Sequence, residues 1–206
     1  MVIELYSVPG AGKTTIIKSL IHGAATSYSG KRGARRFVIQ TAKKIAVYMP
    51  ESLKYKKQMK EAVFNYQCRR PLFYNRSFNQ HLNNIVLVSW AYKHSAKPIY
   101  MDEGLVHRLI ALAVNYDLSD DELIRLVDIF RGIIAKANCF YLDVSVQVCM
   151  DGIKKRNRHM CEMDDLSDEK LIDFLKRYEH FCITVRDHFN HPTVTRENYE
   201  IMRRKK

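Results

Sequence analysis

The chain has 206 residues, 47% of them apolar, and its 34 Lys and Arg against 22 Asp and Glu give a formal net charge of +12. That length suits one α/β domain able to bury a core without disulfides. No apolar run approaches the roughly 18 residues of a membrane span, and no repeat or low-complexity linker marks a second domain, so 1–206 reads as a single unit.

Val2–Tyr6 reads as a strand, apolar except for Glu4, and leads into the turn Pro9-Gly10-Ala11-Gly12. Lys13–His22 carries Ile16, Ile17, Leu20 and Ile21 at helical spacing, with Gly23 as a stop. Residues 26–97 are mostly helical and basic, with Phe78, Leu82, Ile85, Val86 and Trp90 as one apolar stripe and Arg36–Gln40 as the candidate second strand. Ile99–Met101 reads as a buried strand ending in Asp102-Glu103-Gly104. Two helices follow, the second opened by Ser119 with Glu122 as a capping box and Leu118 and Leu123 as a staple. Cys139–Leu142 is the next strand, followed by a helix with Val146, Cys149, Met150 and Ile153 on one face. A polar stretch, 154–166, leads to a long helix capped by Ser167, with Leu171, Phe174, Leu175, Tyr178, Cys182, Val185 and Phe189 facing inward. Thr193–Thr195 is a last strand, and the tail Met202–Lys206 reads as disordered. Strands alternating with helices imply a parallel sheet covered on both faces.

The segment Ser7-Val8-Pro9-Gly10-Ala11-Gly12-Lys13-Thr14-Thr15 carries the chemistry. Strand, glycine turn and helix N-terminus place consecutive N–H groups and the positive dipole end around a phosphate. Lys13 is then expected on the β- and γ-phosphates and the Thr14 hydroxyl on Mg²⁺, with Pro9, Gly10, Ala11, Gly12 and Thr15 completing the nucleotide cradle. Ser7 stands where the usual Gly-x-x-x-x-Gly-Lys-[Ser/Thr] pattern has its first glycine.

Asp102, at the C-terminal end of a strand, is expected to hold Mg²⁺ or to accept a proton from an attacking hydroxyl, and Glu103 to share either task. The cluster Lys154-Lys155-Arg156-Asn157-Arg158 offers arginines that could clamp a transferring phosphoryl group. Arg69, Arg70 and Arg76 among Tyr66, Phe73, Tyr74 and Phe78, and Arg108 beside His107, are candidates for acceptor binding. His180, Cys182, His188 and His191 match no closed zinc spacing.

The phosphate loop, the strand ending at Asp102 and the helix leading to Arg156 and Arg158 together resemble the P-loop small-molecule kinases, nearest in layout to thymidylate kinases. The segment Phe140–Ser145 is similar to the strand before the lid-leading helix of that group. The resemblance implies a P-loop three-layer sandwich with a helical lid, Lys13 and Thr14 on ATP (or GTP) and Mg²⁺, Asp102 at the acidic position, and Arg156 and Arg158 on the lid. It departs in having Glu103 and Gly104 where thymidylate kinases follow the acid with Arg.

The five cysteines form no CxxC pair, and Met1 runs straight into a strand, so a cytoplasmic protein with reduced thiols is expected. Its expected activity is ATP-dependent phosphoryl transfer to a small hydroxyl- or phosphate-bearing acceptor such as a nucleoside or nucleotide. A sugar or glycan acceptor, a nucleic-acid 5′-end, and a nucleotide-dependent switch without an acceptor are the alternatives. The basic charge keeps nucleic acid among the partners, and monomer and homodimer both stay open.

Overall fold

The computed structural model describes residues 1–21, 45–63, 76–95, 98–156 and 162–203. Four parallel strands, β1 (Val2–Tyr6), β2 (Ile99–Met101), β3 (Asn138–Leu142) and β4 (Thr193–Val194), lie in the order β2-β1-β3-β4. All five residues of β1 are buried. Side chains alternate across a strand, so this requires cover on both faces of the sheet. The register sets Glu4 opposite Met101 on one neighbour and Cys139 on the other. The expected second strand, Arg36–Gln40, lies outside the described residues.

The helices are α1 (Lys13–Ile21), α2 (Pro50–Ala62), α3 (Arg76–His94), α4 (Leu105–Asn115), α5 (Asp120–Ile129), α6 (Arg131–Ile134), α7 (Val146–Arg156) and α8 (Asp168–Phe189). The sheet-and-helix sandwich expected from the sequence is therefore the fold adopted. None of the described helices is long and apolar enough to cross a membrane.

Local signals account for most boundaries. At α5 the capping box forms: Glu122 N donates to Ser119 Oγ at 3.3 Å, and Ser119 N donates to Glu122 Oε2 at 2.9 Å. At the end of α8, Asn190 takes the left-handed conformation with φ 54° and its N–H caps Arg186 and Asp187.

Several expectations are corrected. The third helix of the β2–β3 connection, α6, is too short for periodicity to reveal. Trp90 is 44% exposed, whereas Ser89 is buried in its place. At about 100° per residue Trp90 stands about 120° from Phe78 around the helix, and Ser89 only about 20°. Ser167 occupies the N-cap position of α8 without a side-chain cap bond; Asp168 and Glu169 answer the helix dipole instead. Of the tail, Met202 and Arg203 belong to a 3₁₀ turn, Tyr199–Arg203, with Met202 buried against the core and Ser19 Oγ donating to the Tyr199 hydroxyl at 3.2 Å; 204–206 lie outside the described residues.

Candidate active site

β1 delivers the chain into the loop 7–12. Gly10 (φ +89°) and Gly12 (φ +90°) both occupy backbone space that other residues avoid. Gly10 has a second reason to lack a side chain, since a Cβ would strike the Cys149 carbonyl oxygen of α7. The contact is reciprocal: a Cβ on Gly152 would come within 2.6 Å of the Gly10 carbonyl oxygen. α7 thus docks on the loop through two glycines. Ser7, the departure from the usual first glycine, donates its hydroxyl to Leu142 O at 2.6 Å and so ties the loop to the end of β3. Arg196, just past β4, donates Nη2 and Nε to Ala11 O at 3.0 and 3.3 Å.

Lys13 is buried, and its ammonium donates to the carbonyls of Ser7 and Val8, both at 3.0 Å. Burial pulls its pKa below the ordinary lysine value, while the Asp102 carboxylate pulls it back up. The sequence placed this amine on phosphates; here it rests on the loop's own backbone. Thr14 follows, exposed at the first turn of α1, and its hydroxyl donates to Asp102 Oδ2. The two residues expected to hold a cation are thus brought together from 88 positions apart. A hydroxyl and a carboxylate side by side at a helix N-terminus are hard oxygen donors and fit Mg²⁺.

The turn Asp102-Glu103-Gly104 is braced from several sides. Glu4 is fully buried and accepts from His107 N at 2.8 Å, from Val106 N at 3.1 Å and from the Tyr92 hydroxyl. Leu105 N donates to the Tyr92 oxygen at 3.2 Å. Burial raises the Glu4 pKa, opposed by these hydrogen bonds and by Arg108. Gly104 has to be glycine, since a Cβ would collide with the Glu4 carboxyl and the Tyr92 hydroxyl. Arg108 donates Nε to Glu103 O at 3.2 Å and pairs with Glu103 Oε2 at 3.4 Å, so the two acceptor candidates engage one another.

The imidazole of His107 stands 3.1 Å from the Tyr178 hydroxyl. Burial, then Lys13 and Arg108, hold it well below the usual histidine range, so it is neutral at pH 7. Arg156 is exposed at the end of α7, one turn beyond Gly152, with its Nε on Gly152 O at 3.3 Å. Arg69, Arg70 and Arg158 lie outside the described residues, as does all of 157–161 between Arg156 and the 3₁₀ turn Glu162–Asp165. Elsewhere, between α2 and α3, a cavity of about 600 Å³ is lined by Tyr48, Lys56, Lys57, Lys60 and Asn83 among others. The α8 histidines have ordinary partners: His180 bonds Asp120 and His188 bonds Asp128.

Two residues were not expected at the site: Glu4 and Arg196. Glu4 alone carried a signal, as the one charge in an otherwise apolar strand.

Parallel strands, a glycine loop leading from β1 into α1, and an acid at the end of the adjacent strand define a P-loop α/β fold. No protein-family model matches the sequence, and no curated protein does. Among solved structures, deoxyadenosine kinase from M. mycoides with bound dATP is similar over 100% of this chain and 98% of that one, at 20% identity and a TM-score of 0.49. The same enzyme with the products dCMP and a flexible dCDP is similar over 95% of this chain and 88% of that one, at 20% identity and a TM-score of 0.48.

Proposed function

We propose that the protein is a nucleoside-triphosphate-dependent phosphotransferase, using ATP or GTP to phosphorylate a small hydroxyl- or phosphate-bearing acceptor of the nucleoside or nucleotide class. The observation that carries this reading is the hydrogen bond between Thr14 and Asp102 beside Lys13 at the N-terminus of α1. The first N–H groups of a helix lack intrahelical partners, and those at the start of α1 would serve as phosphate donors. Lys13 would exchange its two backbone carbonyls for phosphate oxygens. Thr14 and Asp102 would hold Mg²⁺, which supplies charge neutralisation at the phosphates when bound. Glu103, exposed and braced by Arg108, is the carboxylate left to accept the acceptor's hydroxyl proton. Arg156, with Arg158 beyond it, would meet the charge that develops on the transferring group.

A polymeric anionic acceptor is the second reading, favoured by the lysines of α2 at the cavity. ADP release with Mg-ATP, measured for the wild type and Lys13→Ala across nucleosides, nucleoside monophosphates, sugars and a 5′-hydroxyl oligonucleotide, tests both. Lys13-dependent stimulation by a nucleoside or nucleotide supports the first reading. Stimulation by the oligonucleotide that falls steeply with salt supports the second. A slow rate that no acceptor raises refutes both and leaves a nucleotide-dependent switch.

A further inference from the structure

We propose that Glu4 is a positioning residue that fixes the Asp102–Gly104 turn and thereby sets the Asp102 carboxylate against Thr14. The inference rests on the magnesium site read above. Glu4 grips that turn at both ends. Its backbone stands in register with Met101, the residue just before Asp102. Its side chain accepts from Val106 N and His107 N, just after Gly104. Four residues, Asp102, Glu103, Gly104 and Leu105, are thus strung between two anchorages on one residue of the central strand.

The chemistry requires a carboxylate. Gly104 sits at the N-cap of α4 and has no side chain to serve the helix's first amides. Glu4 substitutes from the sheet, with Oε1 on His107 N and Oε2 on both Val106 N and the Tyr92 hydroxyl. These partners all donate, as does Cys139 Sγ at 4.0 Å from Oε2, so both oxygens accept. An amide in its place would turn an NH₂ toward a donor and release one side of the turn. Tyr92 extends the grip, since its oxygen takes the Leu105 N–H. Arg108 restrains Glu103 from outside, and the carboxylate of this turn that reaches α1 is Asp102.

A residue that only stabilised the fold would weaken nucleotide binding equally with and without metal. A residue that places Asp102 acts on the metal-dependent part alone, and supporting partners of this kind typically alter metal affinity about 10- to 100-fold. The test compares wild type, Glu4→Gln and Tyr92→Phe. Affinity for a fluorescent ATP analogue is measured in EDTA and in Mg²⁺, and amide hydrogen exchange is followed at 105–107. The expected result for Glu4→Gln is an EDTA affinity within about twofold of wild type, a magnesium-dependent gain reduced about tenfold, and faster exchange at Val106 and His107. Tyr92→Phe should change both in the same direction by less, and it decides the matter if Glu4→Gln does not fold.

An unchanged magnesium-dependent gain, or an equal loss in EDTA and Mg²⁺, would overturn the proposal. If wild type itself shows no gain from Mg²⁺, the phosphotransferase reading fails first. The exchange arm then decides alone whether Glu4 holds the turn, and unchanged protection at 105–107 refutes it.

Discussion

Replacing Gly152 by Ala tests whether α7 really docks on the phosphate loop. In an exposed helix interior, Gly→Ala is stabilising by roughly 0.8–1 kcal/mol, because Ala gives up less backbone entropy. At Gly152 the new Cβ would lie 2.6 Å from the Gly10 carbonyl oxygen, a backbone atom, and ordinary contact begins at 3.4 Å. Loop and helix must therefore part by nearly an ångström, and overpacking of this kind costs about 1–3 kcal/mol. The net is a change between roughly zero and 2 kcal/mol destabilising. Gly132 in α6 provides the control, as a Cβ there meets nothing within 4 Å. Gly132→Ala should accordingly stabilise by up to about 1 kcal/mol. The two variants, identical in chemistry, should differ by about 1–3 kcal/mol in urea unfolding, with the same m-value. If ATP stabilises the protein thermally, as the proposed function requires, Gly152→Ala should lose part of that gain and Gly132→Ala should keep it. If Gly152→Ala were as stabilising as Gly132→Ala, the glycine–glycine docking would be refuted, and with it the placement of Arg156 beside the loop.

Ser119→Ala removes half of the capping box on α5 and should cost about 1 kcal/mol, read as a lower urea midpoint at constant m-value. Met202→Ala should cost at least about 2 kcal/mol, since the side chain is 1% exposed; a disordered tail would show no change. His191 is held down to about 4 from 6.5 by burial, with the Tyr6 hydroxyl 3.0 Å from its Nδ1. Its folded pKa is depressed, so the neutral ring favours folding above pH 6.5, and that contribution is lost as the pH falls from 6.5 toward 4. The loss is bounded at about 3.4 kcal/mol and reduced by the ring's residual solvent access. His191→Gln should flatten this part of the stability profile between pH 7 and 4.5; an unchanged slope would refute the assignment.

Much of the fold was legible because its signals are local. The strand, glycine turn and helix of 2–21, the capping box at Ser119 and the apolar stripe of α8 each lie within a few turns of chain. Trp90 shows where local reading fails. A large apolar side chain attracts assignment to the core, yet twelve residues after Phe78 the helix has rotated it outward, and the small Ser89 donates to Val86 O in the buried position. Met202 errs in the opposite direction. A Met beside a basic tail reads as solvated, and only the contact of the 3₁₀ turn with α1 reveals its burial.

The site divides along the same line. Ser7–Thr15 is a contiguous pattern, and Asp102 follows from standing at a strand end, but their meeting depends on the parallel register of β1 and β2. Gly104 was read as a departure from a kinase pattern; in three dimensions it is the space that Glu4 and Tyr92 occupy. Lys13 makes the point most sharply. Its sequence position suggests a phosphate as its partner, whereas its resting bonds show what that use would require. Two hydrogen bonds from a charged donor, each contributing about 1.5–3 kcal/mol, must be given up before the amine can reach a phosphate. The exchange is favourable only if the abandoned carbonyls are not left bare. The Val8 carbonyl also accepts from Ala11 N at 3.3 Å, so it keeps a partner if Lys13 moves. In the proposed reaction the phosphates would replace these two carbonyls as partners of the ammonium, and that contact has to exceed their loss.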